Sequence, residues 1–164
     1  MKSRVMLAVL CAAAGLAGVA AAEQPAMAPM HNMTTPAQIV WGPPPPGLPA
    51  GAQVAVLSGD PGGTGPFTLR AKLPAGYRIA PHWHPTDEHV TVLSGAVAMG
   101  MGETFDEKAM MALPVGGFAA MAPNQRHYLV SKSGATIQVH GTAPFAITYV
   151  NPKDDPRNAA APKM

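Results

Sequence analysis

Between residues 52 and 150 the apolar positions fall in short runs, and within several runs they alternate with polar ones. QVAVLSG, PFTLRAKL, HVTVLSG, AVAMGMG, GFAAMA, HYLVSKS, TIQVHG and FAITYV are each bounded by Gly, Pro, Ser or Asp. Alternation with period two sets one face of a strand on a core, and turn residues recurring at about eight to twelve positions mark chain reversals. The pattern predicts an all-β chain, an antiparallel sandwich or barrel with at most one short helix. That helix is expected over DEKAMMAL (106–113), with Asp106 as its cap and Pro114 as its stop. GPFTLR (65–70) and APFAIT (143–148) resemble each other, but one pair does not make a repeat architecture.

Upstream of the strands the pattern changes. MKSRVMLAVLCAAAGLAGVAAAEQ carries Lys2 and Arg4, then an apolar run, then the small residues Ala20, Ala21 and Ala22. That order is a secretory signal, so residues 1–22 are expected to be cleaved and the working chain to be periplasmic or secreted, with no membrane contact afterwards. Cys11 leaves with the signal, because Leu10 stands where a lipoprotein site wants a small residue. It is the chain's one cysteine, so disulfide and thiolate chemistry are excluded from what remains. Losing Lys2 and Arg4 takes the eleven basic residues to nine, equal to the nine acidic ones. A balanced chain without a basic run has no electrostatic footprint for nucleic acid.

Residues 23–38 are polar, alanine-rich and proline-punctuated, as a disordered arm would be, and PPPP at 43–46 then stiffens the chain, so 23–49 is expected to be a flexible leader before the domain. Met27, Met30, His31 and Met33 supply soft donors that suit Cu(I), but on a segment without fixed geometry they read as leader. Residues 50–150 form the single domain. Residues 151–164 are a tail in which Asp154 and Asp155 are expected to be solvated.

The chemistry concentrates in HWHPTDEHV (82–90). His82 and His84 lie two apart and project to one face of a strand. After the turn Pro85-Thr86-Asp87, Val90 and Val92 share the parity of Glu88, while His89, Thr91 and Leu93 share the other. A valine-lined face looks inward, so Glu88 is expected inside and His89 outside, with Asp87 left to the turn. Two imidazoles and a carboxylate in an apolar interior are costly unless something binds them, and a divalent metal suits these donors. Fe, Mn, Zn, Cu and Ni all fit. Val90, Val92, Val97, Met99 and Met101 are expected to line the interior. Tyr77, Arg78, Arg126, Tyr128 and His140 are expected to face outward or sit at the rim, and Trp41 and Trp83 to pack at an edge or a subunit contact.

Gly76-x5-His82-x-His84-x3-Glu88-x6-Gly95 resembles, position by position, the first motif of the cupin superfamily. Gly116-x5-Ala122-x-Asn124-x2-His127-x3-Ser131 resembles the second, with alanine for proline, asparagine for glycine and serine for the closing asparagine. Asparagine also accepts positive φ, so Asn124 can stand for glycine. Over about residues 50–150 the resemblance implies a jelly-roll barrel in which His82, His84 and Glu88 bind one divalent transition metal and His127 is the fourth ligand. It also implies a small-molecule substrate or ligand and a homodimer formed through sheet edges. Many cupins with such a ligand set are dioxygenases, others isomerases or decarboxylases. Two expectations therefore stand: an oxygenase-like metal-dependent enzyme acting on a small organic substrate, or a non-enzymatic periplasmic module that binds a metal or small ligand. No catalytic acid, base or nucleophile is singled out. Loops 58–66 and 102–116 are expected to shape the pocket.

Overall fold

The computed structural model describes residues 33–158, and the predicted signal segment, Met27, Met30, His31 and the end of the tail lie outside the described residues. Nine antiparallel strands are found among them. They are β1 (Gln53–Ser58), β2 (Gly65–Leu73), β3 (Tyr77–Trp83), β4 (Glu88–Met101), β5 (Met111–Pro114), β6 (Phe118–Met121), β7 (His127–Ser131), β8 (Ala135–Ala143) and β9 (Thr148–Tyr149). The only helical pieces among the described residues are three-residue 3-10 turns. The all-β expectation holds.

β4 joins the two halves of the curl. Its first part, Glu88–Gly95, pairs with β8, and Glu88–Thr91 also pairs with β6, extending the row β1-β2-β8-β4-β6. Its second part, Ala96–Met101, pairs with β5 and β7 in the row β9-β3-β7-β4-β5. The two expected strands HVTVLSG and AVAMGMG are thus one. Ser94-Gly95, read as a turn, is a bulge: the register with β8 shifts between Val92 and Ser94. Gly95 sits at φ 70°, and a Cβ there would strike the carbonyl of Gly134. A bulge and a hairpin turn both call for a residue at positive φ, and only the partner strand distinguishes them.

The inward side of this curl is the core. Val90, Val92, Val97 and Met99 are buried as expected, with Phe67, Leu129, Ile137 and Val139 packed among them. Met101 departs from the expectation: it is the last residue of β4 and is 48% exposed. The predicted helix at 106–113 also contracts. Asp106 does cap, its carboxylate accepting from the Lys108 N–H, but the helix is one 3-10 turn at Glu107–Ala109. Met111–Pro114 instead extends β4's second sheet by pairing with Ala96–Met99. A short apolar run such as MMAL suits either state, and the free edge of β4 decides. FAITYV is strand only at Thr148–Tyr149.

Tyr77 and Tyr128, expected at the rim, are buried, because each hydroxyl reaches a carbonyl distant in sequence. Tyr77 donates to Pro49 (2.7 Å) and Tyr128 to Asp106 (3.2 Å). Arg78 does face outward, its guanidinium 3.4 Å from the Phe105 ring centre. Trp41 and Trp83 sit under cations, Lys72 at 4.1 Å and Arg126 at 5.3 Å. In the tail Asp154 is exposed, whereas Asp155 is held by Arg157 at 2.7 Å rather than simply solvated.

Residues 41–49, grouped above with the leader, lie against the barrel. Gly42 bridges Val54, and the carbonyls of Gly47 and Pro49 accept from the hydroxyls of Tyr149 and Tyr77. The polyproline stretch thereby becomes a strap on the curl.

Candidate metal centre

The site is assembled by strand register. His82, near the end of β3, pairs across with His127, the first residue of β7. Glu88 opens β4, opposite Gly141 of β8 and Met121 of β6, with its side chain on the same inward face as Val90 and Val92. His84 follows β3 by one residue and is fixed from two sides. Its ring stacks on Phe145 (4.0 Å between centroids, 13° between planes), and its Nδ1 meets the Ala146 carbonyl at 2.8 Å. The imperfect second motif is tied to the first directly. Asn124 adopts φ 63°, as glycine would, and its N–H donates to the His84 carbonyl at 2.8 Å. The turn that presents His127 is therefore clipped onto the strand that presents His84.

All four residues come together and all are buried, between 2% and 8% exposed. One ring nitrogen from each of His82, His84 and His127 lies within 4.8 Å of the others, a group that could hold a metal ion. Glu88 Oε2 completes the cluster, 3.0 Å from His127 Nε2 and 3.6 Å from His84 Nε2.

The second nitrogen of each ring sets the chemistry of the first. The Nδ1 atoms of His82, His84 and His127 meet the carbonyls of Ala80, Ala146 and Gln125 at 2.8–2.9 Å. A carbonyl only accepts, so each Nδ1 carries the hydrogen and each neutral ring turns a bare Nε2 lone pair to the centre. This backbone orientation is the arrangement expected behind metal-ligating imidazoles.

Without an ion the four groups settle their charges unequally. Burial, reinforced by the neighbouring charges of His127 and His84, pushes His82 down to about 3 against the raising influence of the Ala80 bond. Burial also lowers His84, more than Glu88 raises it. For His127 burial again lowers, but the hydrogen bond and charge of Glu88 outweigh it and the pKa rises. Glu88 mirrors this: burial raises its carboxyl, yet His127, His84 and His82 together hold it below the usual range. His127 Nε2 donates to Glu88 only when the ring is protonated. With neutral His127, Glu88 Oε2 is a buried oxygen with no donor. Three lone pairs and an orphaned carboxylate oxygen are what a divalent cation satisfies.

Above the cluster lies a cavity of about 540 Å³. Loop 58–66 contributes Asp60, Pro61 and Gly62 to its wall, as expected, but no residue of 102–116 lines it. The strap does instead, through Pro43, Pro45 and Leu48, together with Phe145 and Ile147. Sequence reasoning missed Phe145 and the strap. The likeness of GPFTLR to APFAIT was the available signal for Phe145, since Phe67 and Phe145 come into ring contact at 4.8 Å. His89 and His140 stay off the cavity, stacked on each other at 4.9 Å, with Asp87 3.4 Å from His89.

No family model and no curated protein sequence matches this chain. Solved structures do. An RmlC-like cupin from Shewanella frigidimarina superposes with TM-score 0.55 at 12% identity, covering 69% of this chain and 91% of that one. The chain has the cupin fold. The chain also superposes on the polyketide cyclase RemF from Streptomyces resistomycificus, with TM-score 0.64 and 15% identity over 78% of this chain and 91% of that one. A putative acetylacetone dioxygenase from Methylibium petroleiphilum gives TM-score 0.59 and 20% identity over 79% and 88%. At these identities the likeness is one of fold.

Proposed function

We propose that this cupin is a metal-dependent enzyme, oxygenase-like, acting on a small organic substrate. His82, His84, Glu88 and His127 hold one divalent transition metal. One observation carries the reading: three buried imidazoles with Nδ1 bound to backbone carbonyls turn their lone pairs, beside an orphaned carboxylate oxygen, to the floor of a cavity. Three neutral rings and one carboxylate would leave a bound divalent ion with net positive charge, facing the cavity in which a small organic substrate would lie. A bound metal of this kind supplies Lewis acidity or redox capacity. The protein's part is to orient the donors and to surround them with apolar wall.

Export to the periplasm, with cleavage after residue 22, is supported by the order of charged, apolar and small residues at the start of the chain. The domain then spans 50–150 with the strap 41–49 packed on it, a leader before and a tail after, and the family resemblance supports a homodimer.

The function is tested by oxygen uptake of Fe(II)- and Mn(II)-loaded protein against catechols, thiols and flavonoids. Substrate-dependent uptake abolished in His127→Ala upholds the reading. No turnover with any metal, while the metal is tightly retained, replaces it with a metal- or ligand-binding module.

A further inference from the structure

The wall of the cavity is defined by what it lacks. Apart from His82, His84, Glu88 and His127, Asp60 is the only residue lining it, among the described residues, whose side chain carries a polar oxygen or nitrogen. Asp60 is exposed and one of its carboxylate oxygens already accepts from the Gly62 N–H at 2.9 Å. No lysine, arginine, serine, threonine, asparagine, glutamine, tyrosine or tryptophan of the described chain faces the space. The wall is built from inward positions of β1, β2, β4, β7 and β8: Val54, Leu69, Met99, Leu129, Ile137 and Val139.

This composition selects a ligand. A sugar or polyol placed here gives up hydrogen bonds to water and finds none in return, and a phosphate or dicarboxylate finds no cation along the wall. An apolar body gains from the same burial. Size follows by comparison: a cavity of about 150 Å³ holds one benzene, so about 540 Å³ holds roughly three ring-sized units. At the floor, Glu88 offsets one of the two charges of a divalent ion, which leaves one further negative charge to be matched.

We propose that the cavity takes a bulky apolar ligand of about three rings, whose single chelating, at most monoanionic end sits at His82, His84, Glu88 and His127, and that it rejects sugars and multiply charged anions. The chelating end rests on the metal reading above; the apolar body rests on the wall alone.

A series with one head group and a changing body separates the two. The full chain loaded with Zn(II) is titrated calorimetrically with aceto-, benzo- and 2-naphthohydroxamate, and with gluconohydroxamate, which joins the same head to a hydroxylated body. The dissociation constant should fall about tenfold or more at each added ring, with gluconohydroxamate no tighter than acetohydroxamate. Equal affinity across the series, or preference for the hydroxylated body, overturns the proposal. Val139→Thr, which swaps a wall methyl for a hydroxyl at nearly constant volume, should weaken naphthohydroxamate several-fold and leave acetohydroxamate unchanged. If the chain retains no Zn(II), only the metal reading fails. The wall is then read in the unloaded protein by the fluorescence of neutral N-phenyl-1-naphthylamine. Enhancement that is lost in the cavity-filling variant Ala71→Leu upholds the apolar ligand, and absence of enhancement in the parent chain overturns it.

Discussion

Metal binding at this site should release fewer protons at pH 6 than three ordinary imidazoles would give up. The perturbation is the exchange of a proton for a cation, and the structure identifies whose proton it is. Three unperturbed imidazoles with pKa near 6.5 would each be about three-quarters protonated at pH 6 and would together give up about two protons. Here His82 is pushed down to about 3 and presents a free Nε2 lone pair at that pH, while His84 is lowered by burial and holds less than an ordinary imidazole's share of the proton. His127, raised by its contact with Glu88, carries a second ring proton, and Glu88 itself is ionised because its pKa is lowered. The sign follows directly. The His127 proton must leave for Nε2 to become a ligand, so affinity falls as pH drops through the His127 pKa. One proton costs a factor of ten per pH unit, about 1.4 kcal/mol; the unperturbed trio would approach a factor of a thousand. Calorimetry with Zn(II) at pH 6, in buffers of differing ionisation enthalpy, counts the protons. That pH lies below the range, near about 7, where zinc-bound water ionises. Release of two protons or more, or of none, would refute the assigned charge states.

Other consequences are structural. Tyr149→Phe removes the buried hydroxyl that donates 2.9 Å to the Gly47 carbonyl and pins the strap; a loss of about 1–2 kcal/mol is expected in urea unfolding. Gly100→Ala places a Cβ against the ring of Tyr128, which is 1% exposed and cannot withdraw, so the same assay should show a cost of about 1–3 kcal/mol. Phe145→Leu takes away the ring stacked on His84 while leaving all four proposed donors in place. Metal affinity should fall about tenfold in a competition titration, with one site per chain preserved.

What the sequence made legible was local. Strand parity alone placed His82, His84 and Glu88 on the inward face and His89 outside it, because a period of two needs no knowledge of partners. The spacing of the second motif identified His127, and Asn124 does take the positive φ on which the match depended. What escaped depended on contacts between distant segments. Gly95 suits a turn or a bulge equally, and the choice lies with its partner Ala135 on β8 and the Gly134 carbonyl just before it. MMAL suits helix or strand, and the edge of β4 settles it. Tyr77 and Tyr128 look like rim residues until their hydroxyls find Pro49 and Asp106, distant in sequence. Pro43, Pro45 and Leu48 carry no periodic signal, yet they wall the cavity because Tyr77 and Tyr149 hold the strap in place.

The most direct test of the central claim is metal stoichiometry in the purified chain after loading with a divalent transition metal, beside His82→Ala and His127→Ala, with circular dichroism to verify the fold. One ion per parent chain and loss of tight binding in both variants is the predicted result. Full stoichiometry retained in both variants would contradict the assignment of these residues as a metal centre.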